Sequence, residues 1–250
     1  MEQWRKDMLD RHERAGYIPI IRELTRSYTC PFYWYDDSRP LGQSVLHNGT
    51  VTFVNTGAAT LAISANHVYD QYIRDKAQYP HIKCQFGGAT VEPERYICSS
   101  SENHDLVTFR LPEVLTAATR VIVHNSPKWP PERLKESDLV VFGGYPGHRR
   151  SERPDTLETD FVTFISRVTQ SSDDHAAVYL NIPESYWPAG ESIGERPDMG
   201  GASGGPVFRF LSEPIEMLEF TGIIYESSRE LELVYARHAN QISETGQIAG

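Results

Sequence analysis

Residues 199–208 combine a single serine with a run of glycines. They read Met-Gly-Gly-Ala-Ser-Gly-Gly-Pro-Val-Phe, with the serine at position 203. Because glycine has no Cβ, such a stretch can form a tight turn in which several backbone N–H groups point into one cavity. A serine hydroxyl at such a turn can attack a carbonyl carbon, and the N–H groups can bind the oxyanion that develops. The pattern indicates Ser203 as a candidate nucleophile, with a plain Gly-rich hairpin loop as the alternative.

A serine hydroxyl is a weak nucleophile at neutral pH, so it needs a base within hydrogen-bonding distance. His67 is the candidate among the nine histidines of the chain. Residues 60–68 read Thr-Leu-Ala-Ile-Ser-Ala-Asn-His-Val. This pattern predicts a strand that ends in small residues just before the histidine. The imidazole would then lie at the rim of a barrel, and a solvent-facing loop histidine is the alternative.

A carboxylate must orient the base, and two aspartates compete for this role. Residues 103–111 read Asn-His-Asp-Leu-Val-Thr-Phe-Arg-Leu, so that Asp105 directly precedes an apolar strand. There a carboxylate can be buried against an imidazole N–H, where it fixes the tautomer and stabilises the imidazolium. Asp70 is closer to His67 in sequence, but one turn past the histidine it fits a helix start or the surface better. We prefer Asp105 as the acid.

Together the three motifs resemble those of the trypsin/chymotrypsin-like serine peptidases, and are closest in style to those of HtrA-like and other bacterial members. The chain order His67, Asp105, Ser203 is that of the chymotrypsin-like fold and differs from the orders in subtilisin-like enzymes and α/β-hydrolases. The resemblance covers roughly residues 42–240 and is strong only at these motifs. It implies a serine endopeptidase that cleaves protein or peptide substrates through an acyl-enzyme intermediate, without cofactor or metal.

The resemblance also implies an oxyanion hole formed by the backbone N–H groups of Gly201 and Ser203. Two short stretches would line the substrate pocket: Asp198, Met199 and Gly200, and Tyr225, Glu226 and Ser227. Pro197 stands where members that cleave after Arg or Lys carry aspartate, so basic specificity is not transferred. The carboxylates of Asp198 and Glu226 are the candidates for a negative charge in this pocket.

Position 202 departs from one pattern of the family. Members activated by clipping of a propeptide carry aspartate immediately before the nucleophile, where it pairs with the new N-terminus. Ala202 cannot form that ion pair, so no activation of this kind is expected. Control would then fall to the N-terminal extension, or to an activating protein partner acting on the loop of residues 183–198. Either could keep the oxyanion hole unformed.

Short strands must position these residues. Candidate strands, separated by turn residues, are 45–47, 51–54, 60–64, 82–86, 107–111, 120–123, 139–142, 161–168, 176–182, 206–210, 219–225 and 231–235. Asn48-Gly49 between the first two predicts a hairpin turn. Many short strands with few helices indicate an all-β protein, and the resemblance implies two six-stranded antiparallel β-barrels.

The chain divides into three predicted segments. Residues 1–41 form an N-terminal extension, with a helix over 2–14 and a second short helix after Pro19. Residues 42–126 form the first barrel, which carries His67 and Asp105. Residues 127–250 form the second barrel, which carries Ser203, and the Pro-rich stretch 127–131 marks the boundary between the barrels.

Composition restricts the partners and the compartment. The chain has 250 residues and a net charge of −10, so it repels phosphate backbones and nucleic acid is not expected as a partner. Its three cysteines, Cys30, Cys84 and Cys98, are odd in number and widely spaced, which argues against a disulfide framework and against a zinc site. With no signal-peptide pattern and no membrane-spanning apolar run, a cytoplasmic protein without a membrane partner is expected.

Two other functions fit the same residues. One is a catalytically silent, peptidase-like protein-binding module; the presence of all three triad residues argues against it. The other is an esterase that uses the same triad on a small molecule, although the β-rich pattern disfavours the α/β-hydrolase fold.

Overall fold

The computed structural model describes residues 16–40, 43–153, 156–180, 198–211 and 217–250. The described part of the first half contains the helices α1 (Tyr17–Ser27), α2 (Asn66–Gln78) and α3 (Glu113–Ala118). The strands of the first half are β1 (Thr29–Asp36), β2 (Val45–Asn55), β3 (Thr60–Ser64), β4 (Ile82–Phe86), β5 (Ala89–Thr90), β6 (Ile97–Ser101), β7 (Leu106–Phe109) and β8 (His124–Asn125). Those of the second half are β9 (Leu139–Gly144), β10 (Arg150–Arg153), β11 (Thr156–Thr159), β12 (Val162–Ser171), β13 (His175–Tyr179), β14 (Pro206–Leu211), β15 (Met217–Ser228) and β16 (Leu233–His238). The chain is therefore mostly β, as the sequence predicts.

The second half closes into a six-stranded antiparallel barrel, as the family resemblance implies. Its strands follow the order β12-β13-β16-β15-β14-β9, and β9 pairs back with β12. Apolar side chains that alternate along the strands fill the interior, among them Phe142, Phe164, Val207 and Ile224. Strands β10 and β11 form a separate two-stranded hairpin.

The first half forms an open sheet, and a second closed barrel is not seen among the described strands. The order is β5-β4-β1-β2-β3-β7-β6, and the short strand β8 pairs in parallel with the end of β2. Strand β5 has two residues and pairs with β4 alone, so no ladder joins it to β6 at the other edge. Aromatic side chains dominate the core of this sheet, including Phe32, Trp34, Phe53 and Phe109.

One apolar cluster is shared by the two sheets. Leu61 and Ile63 of β3 pack in it with Phe208 of β14 and with Phe220 and Ile223 of β15. All five side chains are fully buried. Burying apolar surface between the sheets favours their association, so the sheets meet along a packed junction.

The start of the chain differs from the prediction. Strand β1 lies within the segment assigned to a helical extension, and it pairs with β2 on one side and β4 on the other. Its residues read Thr-Cys-Pro-Phe-Tyr-Trp-Tyr-Asp, and the aromatic side chains favour a pleated, half-buried surface. Helix α1 confirms the short helix expected near Pro19. The helix predicted over residues 2–14 lies outside the described residues.

Two other local predictions are wrong. Asn48 and Gly49 do not form a hairpin turn, because β1 pairs across them and β2 runs straight through, with Tyr33 opposite Asn48. Residues 120–123 are not a strand, because Arg120 has a left-handed φ of 63°, which interrupts extended backbone. Only the two residues of β8 pair in that region.

His124 on β8 is buried in an aromatic cluster at the junction. Its ring lies 4.9 Å from that of Tyr28 and 5.1 Å from that of Phe208, both edge-on, and 7% of the residue is exposed. Burial lowers the pKa of His124 to about 4. The folded state therefore takes up this proton only near pH 4, whereas an unfolded chain takes it up near pH 6.5. The stability that depends on neutral His124 is complete above that range and is lost as the pH falls through it.

We expect wild-type protein to lose about 2 kcal/mol more of its free energy of unfolding between pH 7 and pH 5 than a His124→Phe variant does. Phenylalanine fits an aromatic cluster and does not titrate. Urea unfolding at the two pH values measures the difference. Burial also lowers the pKa of His238, but this residue is present in both proteins and cancels in the comparison. Equal losses in the two proteins would show that His124 takes up its proton at the same pH in the folded and the unfolded state, contrary to this expectation.

Candidate active site

His67 and Asp105 lie at one edge of the first sheet because of the way β3 and β7 pair. The two strands are antiparallel neighbours, with Ser64 opposite Val107. The residues just after the end of β3 therefore lie beside those just before β7. His67 follows β3 as the second residue of α2, and Asp105 directly precedes β7. The strand order thus brings together two residues that are 38 positions apart.

Both oxygens of the Asp105 carboxylate bind His67. Oδ1 accepts the backbone N–H of His67 at 2.8 Å, and Oδ2 lies 2.7 Å from the ring nitrogen Nδ1. Since an ionised carboxylate only accepts hydrogen bonds, the proton of this contact belongs on Nδ1, which leaves Nε2 to accept one. Asp70 accepts from Nδ2 of Asn66 at 2.7 Å instead. Of the two aspartates considered, Asp105 is the one at the His67 ring.

Asp105 occupies a turn with unusual backbone geometry. Its φ is 48°, in the left-handed region, which aspartate tolerates better than most residues. Its N–H donates to the carbonyl of Glu102 at 3.2 Å, and the N–H of His104 donates to Oγ of Ser101 at 3.3 Å. The carboxylate direction therefore depends on the turn formed by residues 102–105.

Ser203 lies in a glycine turn just before β14. Gly201 and Gly204 on either side have φ of 97° and 93°. A side chain at Gly201 would overlap the amide of Asn48 and the carbonyl of Tyr145, so position 201 has room only for glycine. The N–H groups of Gly201 and Ser203, the predicted oxyanion hole, donate to no acceptor in the described part of the chain.

Strand β2 of the first sheet holds this turn. Thr50 donates its backbone N–H to the carbonyl of Ser203 at 2.8 Å and its hydroxyl to the carbonyl of Gly201 at 2.9 Å. Thr52 donates its hydroxyl to the carbonyl of Gly204 at 2.8 Å. Thr50 and Thr52 are fully buried. The sheet that carries His67 and Asp105 thereby fixes the position of the serine that the barrel supplies.

An open cavity of about 710 Å³ contains all three predicted triad residues. It is lined by Asn66, His67, Asp70, Arg74, Glu102, Asp105, Ser203, Tyr225, Glu226 and Ser227. The Ser203 hydroxyl donates to the carbonyl of Tyr225 at 3.4 Å, and in the described residues it makes no hydrogen bond to His67. Catalytic hydrogen bonds are often long or poorly aligned without substrate. If His67 acts as the base, the serine side chain must turn from Tyr225 towards His67.

The predicted substrate-pocket residues separate into two groups. Tyr225, Glu226 and Ser227 line the cavity beside Ser203. Asp198, Met199 and Gly200 do not: Met199 is buried among the apolar side chains of the barrel, and Asp198 accepts the N–H of Gly200 at 2.8 Å. Pro197 and most of the 183–198 loop lie outside the described residues.

Sequence reasoning missed Arg74 and Glu102 and undervalued Asp70. Asp70 and Arg74 lie three and seven residues after His67, a spacing that puts them on the same face of a helix. The sequence analysis did not predict helix α2, which places both residues near His67. Burial, and then the nearby carboxylate of Glu102, raises the pKa of Asp70, while Arg74 acts in the opposite direction. The cavity wall beside His67 therefore carries more acidic side chains, Asp70 and Glu102, than basic ones, Arg74.

The described residues contain no group of three or more His, Cys, Asp and Glu side chains arranged to hold a metal ion. All three cysteines are free thiols. Burial raises the pKa values of Cys30 and Cys84, which keeps both protonated and unreactive.

Among the described residues there is no helix with the length and apolar character of a membrane span.

No protein-family model matches the sequence, and no curated protein does. Many solved structures are similar to this chain, among them the following two. One comes from a study of aromatic interactions in the coupled folding and binding of the intrinsically disordered Sesbania mosaic virus VPg protein; it is 14% identical, with 85% of this chain and 92% of that chain covered and a TM-score of 0.47. The other is a thermostable serine protease AL20 from an extremophilic microorganism, 11% identical, with 85% and 91% covered and a TM-score of 0.45. At these TM-scores neither similarity bears on function.

Proposed function

We propose that this protein is a serine endopeptidase in which Ser203, His67 and Asp105 act as nucleophile, base and orienting acid. The observation that carries the proposal is the double contact of the Asp105 carboxylate with the backbone N–H and Nδ1 of His67, in the cavity that Ser203 lines. This contact leaves Nε2 as the acceptor that a serine hydroxyl needs. The assignment of the three roles is a prediction from the sequence that the geometry supports.

The reaction begins when a substrate carbonyl enters beside Ser203. The hydroxyl transfers its proton to Nε2 of His67 as its oxygen bonds to the carbonyl carbon, and Asp105 stabilises the imidazolium that forms. The carbonyl oxygen becomes an oxyanion, which the N–H groups of Gly201 and Ser203 bind. The imidazolium then protonates the leaving amine, and the acyl group stays on Ser203. A water molecule, deprotonated by His67, hydrolyses this ester and restores the serine.

The strand from Tyr225 to Ser227 is proposed to lie along the bound peptide. These residues line the cavity at the end of β15, next to the nucleophile. An extended peptide can add to the edge of a strand through backbone hydrogen bonds.

The proposal has three finer features: two chymotrypsin-like lobes, a cytoplasmic location, and control by residues 1–41 or by a partner protein instead of propeptide removal. They stay proposals.

One observation favours the silent binding module as a second candidate. The Ser203 hydroxyl donates to the Tyr225 carbonyl, away from His67. A protein in which this contact persists when a peptide is bound would bind without cleaving. The esterase hypothesis differs from the proposed peptidase only in the substrate, a small molecule that must fit the same cavity.

A mixture of unstructured peptides of diverse sequence tests the proposal. Wild-type protein should cleave internal peptide bonds in the mixture, detected by mass spectrometry as paired fragments, whereas Ser203→Ala should yield none. Hydrolysis of simple esters without any peptide cleavage would support the esterase reading. Retention of uncut peptides by both proteins would support the binding module and contradict the proposal.

A further inference from the structure

Arg237 on β16 spans from the barrel to the turn that carries Asp105. Its Nη2 donates to the backbone carbonyl of Asn103 at 3.2 Å. The two residues are 134 positions apart and belong to different halves of the chain. Asn103 lies in the turn of residues 102–105, whose geometry directs the Asp105 carboxylate. The guanidinium thus connects the barrel to the segment that orients the proposed base.

The same guanidinium stacks on Tyr225. Its central carbon lies 4.4 Å from the centre of the Tyr225 ring, a cation–π contact. Tyr225 sits where the pairing of β15 with β16 shifts register between Ile224 and Glu226. Tyr225 is thus the extra residue of a β-bulge, which changes the direction of its side chain and of its carbonyl. The Tyr225 carbonyl is the group to which the Ser203 hydroxyl donates, so Arg237 contacts both sides of the proposed active site.

The placement of Arg237 carries an energetic cost. Its Nε is buried and has no hydrogen-bond partner among the residues described. Leaving such a donor unpaired is unfavourable, because the hydrogen bond to water that it loses on burial is not replaced. Stability alone is therefore a weak reason for this side chain to occupy this position. Its side-chain contacts with Asn103 and Tyr225 both lead to groups of the proposed active site.

We propose that Arg237 is a positioning residue, which holds the Asp105 turn against Tyr225 and thereby maintains the contact between Asp105 and His67. This inference rests on the proposed function of Ser203. Arg237 acts through other residues, since it is not among those that line the cavity. The charged groups that face His67 in the cavity are Asp70, Arg74, Glu102 and Glu226, besides Asp105 itself.

The test compares Arg237→Ala and Arg237→Lys with a matched control, Arg110→Ala. Arg110 also donates Nη2 to a distant backbone carbonyl, that of Thr245, at 2.9 Å, but away from the cavity. The rate at which a fluorophosphonate labels Ser203 is measured as a function of pH. We expect Arg237→Ala to lower the maximal rate by about 10- to 100-fold, the effect of a small misplacement of catalytic groups. The midpoint of the rate against pH should move to lower pH, because a displaced carboxylate stabilises the imidazolium less.

Arg237→Lys keeps a positive charge and a hydrogen-bond donor, so it should recover part of the rate, and Arg110→Ala should match wild type. If the role of Arg237 is purely structural, Arg237→Ala will lower the folded fraction in urea but leave the pH midpoint of the labelling rate unchanged. That result would overturn the inference. So would a wild-type rate and midpoint in Arg237→Ala.

A second readout keeps this inference separate from the proposed function. The ring protons of His67 are followed by NMR against pH, with Asp105→Asn as the reference for a lost carboxylate. If wild type is not labelled at all, the proposed function fails. The inference about Arg237 is then decided by this titration: a shift in Arg237→Ala towards lower pH supports it, and an unchanged titration contradicts it.

Discussion

Replacing Asp105 by asparagine is expected to lower the rate of Ser203 acylation by about 10⁴-fold, the usual loss when a triad aspartate is changed in this way. The structure explains why so small a change should have so large an effect. The backbone N–H of His67 can only donate, so it must face the amide oxygen of the new side chain. The amide NH₂ group then faces Nδ1, which must accept instead of donating. The ring proton moves to Nε2, and the imidazole can no longer accept the proton of Ser203.

The matched control for this variant is Asp70→Asn. Asp70 lines the same cavity and carries the same charge, but its carboxylate binds Asn66 and not the His67 ring. In the Asp70→Asn variant, the rate at which a fluorophosphonate labels Ser203 should stay within a few fold of the wild-type rate. If the two variants lost similar activity, the general charge of the cavity would matter, and the specific role of Asp105 would be contradicted.

Gly204→Ala is expected to lower the free energy of unfolding by about 4 kcal/mol. Gly204 has a φ of 93°, and a Cβ there would overlap the carbonyl oxygen of Thr50 and the hydroxyl of Ser64. Both atoms belong to buried strands of the first sheet, which cannot move aside cheaply. Such a loss is a large part of the total stability of a typical domain, which is about 5–15 kcal/mol.

Gly57→Ala separates backbone strain from the steric overlap. Gly57 has the same φ of 93°, but no atom lies within 4 Å of the place where its Cβ would stand. Only the strain of about 1 kcal/mol is expected there. Urea unfolding of both variants measures the difference. Equal losses would show that β2 does not pack tightly against the nucleophile turn, despite the hydrogen bonds from Thr50.

The elements with clear periodicity could be predicted from sequence. Strands β3 and β4 match the predicted ranges 60–64 and 82–86, and the six-stranded barrel of the second half is confirmed. The two strand ranges follow from short apolar segments flanked by turn residues, which are local signals, whereas the barrel was expected from the family resemblance. The three candidate triad residues were also found locally, because each lies at the end of such a strand or beside it.

The errors arose where distant contacts decide the structure. Asn48-Gly49 is a strong local turn signal, yet pairing with β1 keeps it inside a strand. Helix α2 was not predicted because small and polar residues surround His67, and its buried apolar residues pack in the core of the first sheet. Arg237 gave no signal in the sequence, because its partners Asn103 and Tyr225 become neighbours only when the two halves meet. Burial of Met199 in the barrel core likewise depends on the folded strands.

The most direct test of the central claim is the intact mass of the protein after treatment with a fluorophosphonate, for wild type and for Ser203→Ala. The reagent requires an activated serine but no knowledge of the substrate. We expect one adduct per wild-type molecule and none on Ser203→Ala, with labelling strongly reduced in Asp105→Asn. An unlabelled wild type, or an adduct of equal yield on Ser203→Ala, would contradict the claim that Ser203 is an activated nucleophile.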